Sequence, residues 1–204
     1  MKIHIHSLCR LAIATRIIAS LSILSILSSL QSCSTAPKVE DRQAFTEEAN
    51  TSRDLFLRMV PGLDAQLRAS AGYAVFPGVG QWGVFFGGGE FGRGAVFTPS
   101  GTQEGWAALS NPTIGLQLGG QGLQLLIVFQ TKDIFEEFKK NVLSGSAGGT
   151  AVGGDSGASA VAPYESGVAV YITAQKGLMA GASVGLQYFR YMSMDDAVAA
   201  DKKN

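Results

Sequence analysis

Hydrophobic and polar positions follow three different rhythms along this chain, and the changes of rhythm divide it. Residues 17–30 (IIASLSILSILSSL) form an uncharged apolar run of 14. From Asp41 the period is helical: Phe45, Ala49, Ser52, Phe56, Met59/Val60, Leu63 and Leu67 recur at steps of three and four, one face of a helix. Arg42, Glu47, Arg53, Asp54 and Arg58 fill the other face. Pro61-Gly62 interrupts the stripe, which predicts two helices or one kinked helix, since proline is tolerated only near a helix start. A helix lying on a membrane usually carries a strongly basic polar face. Here the basic residues are matched by Asp41, Glu47, Glu48, Asp54 and Asp64, so the stripe is expected to pack on the domain.

From Ala71 to Phe129 the rhythm changes to short runs rich in aromatic and β-branched residues. They are 73–77, 84–86, 94–97, 106–109 and 123–129, separated by Gly, Pro or Asn. This is the punctuation of strands and turns. Pro99-Ser100-Gly101 reads as a hairpin turn, because proline presets φ and glycine accepts a positive one. Residues 113–122 (TIGLQLGGQG) alternate with period two and read as a strand, with Ile114, Leu116 and Leu118 on one face. Asp133 to Leu143 returns to helical spacing, with Thr131 as N-cap and Glu136/Glu137 ahead of Lys139/Lys140, in keeping with the helix dipole. Residues 144–163 are mostly Ser, Gly and Ala and read as a loop or weak strand. Strands are expected at 167–173 and 178–192, and a short helix at 195–200.

All 26 glycines lie between Gly62 and Gly185, which suggests close backbone approach or bulges in a small, curled sheet. The expected fold is therefore α+β: a glycine-rich, tightly coiled antiparallel sheet, barrel-like closure being one form of it, with N-terminal and central helices packed on it. A transmembrane barrel is the rival. It needs about 9–11 residues per strand, and most apolar runs here are shorter. Gly78-Val79-Gly80-Gln81-Trp82-Gly83 matches the dinucleotide pattern G-x-G-x-x-G, which has meaning only where a helix opens after a strand. Gly87-Gly88-Gly89 follows instead, and three glycines do not sit in a helix. The glycines are assigned to strand turns.

The apolar run at 17–30 is preceded by Lys2, Arg10 and Arg16 and no acid, the layout of a secretory signal. It is short for a spanning helix, which takes about 20 apolar residues. Leu30-Gln31-Ser32-Cys33 then resembles the bacterial lipobox. That resemblance implies cleavage after Ser32, lipid on the Cys33 thiol and amine, and a palmitate-bearing lipoprotein in the cell envelope. Ser34, rather than Asp, implies sorting to the outer membrane, with the domain facing the periplasm or the cell surface. The expected organisation is a signal peptide at 1–32, a lipidated tether at 33–40 and a single domain at 41–204.

Composition matters most through what it excludes. The 16 basic and 16 acidic residues balance, and losing the leader leaves 13 basic against 16 acidic. Bulk neutralisation of nucleic-acid phosphates is not this chain's chemistry. His4, His6 and Cys9 leave with the leader, so the mature chain has no histidine and no cysteine beyond Cys33. Ser–His–Asp or Cys–His catalysis and His-ligated zinc are excluded. Paired carboxylates remain available for glycoside hydrolysis. However, Glu47-Glu48, Glu136-Glu137 and Asp195-Asp196 are sequence neighbours on helix-like stretches, where adjacent side chains do not face one another. No enzyme activity, cofactor or metal is expected.

The glycine-rich block carries a family resemblance. Residues 71–77 (AGYAVFP), 87–94 (GGGEFGRG) and Trp106 resemble the opening of the SYLF domain family. Residues 114–121 (IGLQLGGQ) with 125–129 (LLIVF) resemble its central segment, and 176–183 (KGLMAGAS) its closing signature. The resemblance spans about Ala71 to Tyr191. It implies a non-catalytic domain that binds membrane phospholipid. Actin binding, associated with fungal members, is not carried over to an envelope compartment. Lys132, Lys139, Lys140 and Lys176 are nominated for headgroup contact, against the alternative of ordinary helix and loop surface. Gln117 and Gln121 are expected to satisfy buried backbone groups. The competing reading is an envelope structural or interaction module without specific lipid binding, docking a protein partner through aromatics such as Trp82, Phe85 and Phe86.

Overall fold

The computed structural model describes residues 35–84, 87–113, 119–141, 161–174 and 188–202, of which 81–84, 87–90, 111–113, 119–121, 174 and 188 are described as backbone only. A single 3-10 turn, Val39–Asp41, leads into α1, Arg42–Met59, and after a break α2, Leu63–Ala69. Six strands follow: β1 Gly72–Val84, β2 Gly87–Phe97, β3 Gln103–Thr113, β4 Gly119–Phe129, β5 Val168–Ala174 and β6 Tyr188–Ser193. Helix α3, Lys132–Lys139, sits between β4 and β5, and α4, Met194–Asp201, follows β6. All of this belongs to one compact unit, Thr35–Asn204.

The sheet order is β5-β4-β1-β2-β3-β6, and every pairing is antiparallel. Its middle four strands, in the order β4-β1-β2-β3, form a Greek key. The fold is α+β as expected. Among the described residues the sheet is open, with β5 and β6 as edges, so barrel closure does not hold. The strands are also longer than their apolar runs, at 13, 11, 11 and 11 residues for β1 to β4. The glycines of the G-x-G-x-x-G segment, expected in turns, lie inside a strand: Gly78, Gly80 and Gly83 belong to β1, while Gly94 stands in β2 with the apolar run that it opens. A strand interior tolerates glycine where a neighbouring group comes close, and punctuation alone misses that case. The G-x-G-x-x-G segment is thus continuous strand, with no helix after it. Residues 114–118 of the expected strand at 113–122, and residues 178–187 of the one at 178–192, lie outside the described residues.

Pro77 stands in a central strand, where it has no N–H for the ladder. The chain accommodates it with a bulge. Both registers of β1 shift there, between Val75 and Gly78 toward β2 and between Phe76 and Val79 toward β4. The extra residue keeps Phe76 and Val79 on the same face of the sheet. The β2–β3 hairpin closes where expected. Gly101 N–H donates to the Thr98 carbonyl at 2.9 Å, and Gly101 takes φ +86°, which only glycine adopts freely.

Strand alternation splits the buried residues into two layers. On the first face, Tyr73, Val75, Ala95, Phe97, Trp106, Leu126, Val128, Ala169 and Tyr171 pack with Ala49, Phe56, Val60, Leu63 and Leu67 of the helical stripe. The stripe from Asp41 onward is therefore buried on the sheet. On the second face, Phe76, Val79, Val96, Leu109, Leu125, Ile127, Phe129 and Ile172 pack with Phe135 and Phe138 of α3. Thr131 caps α3 as expected, accepting from Ile134 N–H at 3.5 Å.

The second face is concave. Phe76 on β1 and Phe189 on β6 are three strand spacings apart, about 14 Å on a flat sheet, yet their ring centroids lie 6.0 Å apart. Phe138 fills the hollow between the far strands. Its ring is 4.7 Å from Phe129 on β4, 5.5 Å from Phe189 and 6.3 Å from Tyr191 on β6. Asn141, in the left-handed region at φ 59°, follows the helix. Its side-chain oxygen accepts from Tyr191 N–H at 2.6 Å, which occupies one donor on the exposed edge of β6.

Two substitutions test this packing. Phe138→Ala removes the side chain that joins both limbs of the curl and should cost about 3–5 kcal/mol, as large-to-small core changes do, read from urea unfolding. Gly94→Ala should destabilise by at least about 1 kcal/mol, because a Cβ there would lie 2.8 Å from the Val75 carbonyl oxygen and 2.8 Å from the Phe76 ring. A shift in unfolding midpoint of less than the experimental error in either variant would contradict the packing described.

Candidate functional site

Cys33 and Lys176 lie outside the described residues. What the structure does show is how the domain begins beside the expected tether. Arg42 forks onto Asp201 of α4, with Nη1 to Oδ2 at 2.7 Å and Nη2 to Oδ1 at 3.0 Å. Its Nε donates to the Pro37 carbonyl at 3.2 Å. A bidentate guanidinium–carboxylate pair has better geometry than a single contact, so the first helix starts at a fixed point on the last one.

The three nominated lysines within the described residues are not equivalent. Lys132 opens α3 and Lys140 directly follows it, and both are exposed. Lys139 is turned inward. Its Nζ lies 2.8 Å from Glu136 Oε1, 3.2 Å from Glu104 Oε2 on β3, and 4.5 Å from the centroid of the Phe135 ring. Partial burial disfavours the charged amine, but its hydrogen bonds to Glu136 and Glu104 outweigh this and hold the Lys139 pKa above its ordinary value. The hydrogen bond from Lys139 in turn holds the Glu136 carboxyl below its ordinary value. The structure thus gathers Lys139, Glu104, Glu136 and Phe135 into one joint between α3 and β3. Of the three lysines within the described residues, Lys139 alone enters this joint.

A second polar group lies under α2. Tyr171 on β5 donates its hydroxyl to Gln66 Oε1 and accepts from Ala162 N–H at 2.9 Å, while Gln66 Nε2 donates to the Ala162 carbonyl at 3.0 Å. Burial raises the Tyr171 pKa, so the phenol stays neutral and serves as a structural hydrogen-bonding group. Ser52, buried in α1, donates to Gln124 Oε1 of β4 at 3.2 Å. The three carboxylate pairs lie on α1, α3 and α4. Gln43 donates to Glu47, Glu136 pairs with Lys139, and Asp196 belongs to the Ser193 cap of α4. Among the described residues no group of three potential metal ligands converges. The side chains of Gln121 and Trp82, and residues 85, 86 and 117, lie outside the description.

The sheet brings together residues that sequence reasoning did not nominate. Arg93 on β2 pairs with Ala108 on β3, which pairs with Arg190 on β6. Phe91 and Ser110 form the next pair along the same face. Arg93 and Arg190 are far apart in the chain, and only the strand register makes them neighbours, so no local motif could have found them.

The Lys139 joint gives a pH prediction. Glu136 titrates lower in the folded protein than unfolded, so its stabilising effect is present above the ordinary carboxylate range and is lost as pH falls through and below it. The Glu136 side chain is 39% exposed, so solvent screening keeps the effect small. Thermal unfolding of Glu136→Gln should therefore lose less stability on acidification than the unaltered chain, and parallel curves would refute the pairing. No protein-family model matches the chain, and no curated protein matches it in sequence.

Proposed function

We propose that this protein is a non-enzymatic lipoprotein, anchored to the outer membrane through Cys33, whose SYLF-like domain binds phospholipid. The observation that carries the reading is the fate of the amphipathic stripe. Ala49, Phe56, Val60, Leu63 and Leu67 are 0–5% exposed against the sheet, so α1 and α2 have no apolar face left for a bilayer. No helix among the described residues is long and apolar enough to cross a membrane. The segment before the domain carries its own signal for attachment: the basic start, short apolar run and Leu30-Gln31-Ser32-Cys33 supply the pattern for acylation. Two or three acyl chains give a stable anchor, at about 0.8 kcal/mol per buried CH₂.

The remaining link is short. Thr35 and Ala36 are already buried in the domain and Val39–Asp41 is a 3-10 turn, so only Ser34 separates Cys33 from the body, which stays close to the bilayer. Confinement of this kind raises effective concentration, and a weak headgroup affinity becomes sufficient. Lys132 and Lys140 point to solvent and are available for such contact, whereas the Lys139 amine is already held by two carboxylates.

The test is metabolic labelling with radioactive palmitate. The unaltered chain should take up label and fractionate with outer membranes, and Cys33→Ser should abolish both. An unlabelled unaltered chain, or label that persists in Cys33→Ser, would overturn the anchoring.

A further inference from the structure

The first face of the sheet is covered unevenly. Helix α1 lies over β1 and reaches β2 and β4, and α4 packs at β3 and β6. Beyond Ala95 and Trp106 the same face runs on along β2, β3 and β6 into solvent. Arg93, Ala108 and Arg190 stand there in one row across three strands. Gly92 and Gly94 point to the opposite face, toward Val79 and Phe76, and Met192 packs in the first-face core, so strand alternation places both arginines on the first face. Both are exposed. Phe91, two residues from Arg93 and on the same face, is 57% exposed.

Three details of this row bear on what it can bind. Arg42, Arg53 and Arg68 are each paired with an aspartate, whereas Arg93 and Arg190, like the isolated Arg58 on α1, form no ion pair among the described residues. The row carries no carboxylate. The Phe91 ring is seated over Gly80, where a Cβ would come within 3.1 Å of it, so a large apolar ring is supported by backbone and still presented to solvent. Ala108 keeps the space between the two guanidiniums low, and their backbones lie about 10 Å apart at two strand spacings.

We propose that Phe91, Arg93 and Arg190 form a docking surface for an anionic phospholipid bilayer. Each guanidinium takes headgroup phosphate oxygens through its planar fork, and the ring enters the interfacial layer, as apolar side chains of membrane-surface elements do. The proposal rests on the phospholipid-binding reading and gives it residues other than the nominated lysines. Charge complementarity selects the occupant. Two unpaired cations beside an apolar ring suit a surface that is anionic outside and greasy beneath, and are too few for a nucleic acid backbone. The net acidity of the mature chain does not oppose this, because fields beyond about 8 Å are screened at physiological salt.

The experiment uses the mature chain from residue 33 with Cys33→Ser, so that no acyl chain holds it, and vesicles of phosphatidylcholine with or without phosphatidylglycerol. Sedimentation with the anionic vesicles, weakened by salt, is expected. In that background Arg93→Gln with Arg190→Gln should lose about 30-fold in partitioning, the equivalent of about 1 kcal/mol per basic side chain. Phe91→Ser should also lose binding, while Lys132→Gln with Lys140→Gln should keep most of it. Arg93→Lys with Arg190→Lys, the conservative pair, should restore part of the loss and guards against a folding defect. Undiminished binding by the double glutamine variant overturns the docking surface and leaves the phospholipid reading standing. A chain that sediments with neither vesicle defeats the phospholipid reading itself. Self-association that Phe91→Ser abolishes, without vesicle binding, overturns the proposal in favour of a second copy on this face.

Discussion

Phe138 touches strands at both ends of the curl. Through it, β4 and β6, which a flat sheet would hold about 19 Å apart, share one aromatic cluster with Phe129, Phe189 and Tyr191. The rest of the architecture follows from this contact. Curvature makes the second face concave and lets one eight-residue helix, α3, reach both limbs. It also requires small residues where backbones crowd, which explains Gly92 and Gly94, whose positions a Cβ could not share with Val79, Phe76 and the neighbouring carbonyls. The polar joint at Lys139 and the Asn141 bond to β6 then fix the helix in the hollow.

The opposite face has a different logic. It is covered by a two-helix layer whose apolar stripe matches the convex surface, with Phe45 edge-on to Trp106 at 5.8 Å and Phe56 against Tyr171 at 6.5 Å. Because that layer is centred on β1, the outer parts of β2, β3 and β6 stay open. Stability and exposure are thus distributed by one geometric fact: a helix pair about 10–12 Å thick per helix cannot cover six strands.

The local elements were legible in the sequence because each follows from a periodic rule. The stripe from Phe45 to Leu67, the break at Pro61-Gly62, the Thr131 cap and the Thr98–Thr102 turn all depend on contacts a few residues apart. Strand limits were not legible, since glycine and proline mark turns in most chains, and here Gly78, Gly80, Gly94 and Pro77 serve a bulge and close approaches within continuous strands. Sheet order was also out of reach, because β4 beside β1 and β6 beside β3 are non-local choices. The same holds for the candidate site. Lys139 looks like its neighbours Lys132 and Lys140 until Glu104, 35 residues away, is placed beside it. Arg93 and Arg190 acquire a relationship only through Ala108.

The fork between Arg42 and Asp201 has a mechanical consequence. It fastens the chain's entry into the body to its last helix, so tension arriving through the leading segment is loaded onto α1 and α4 together. The two ends of the body therefore share that load until the Arg42–Asp201 pair parts, and because the pair is exposed it gives way before either helix does.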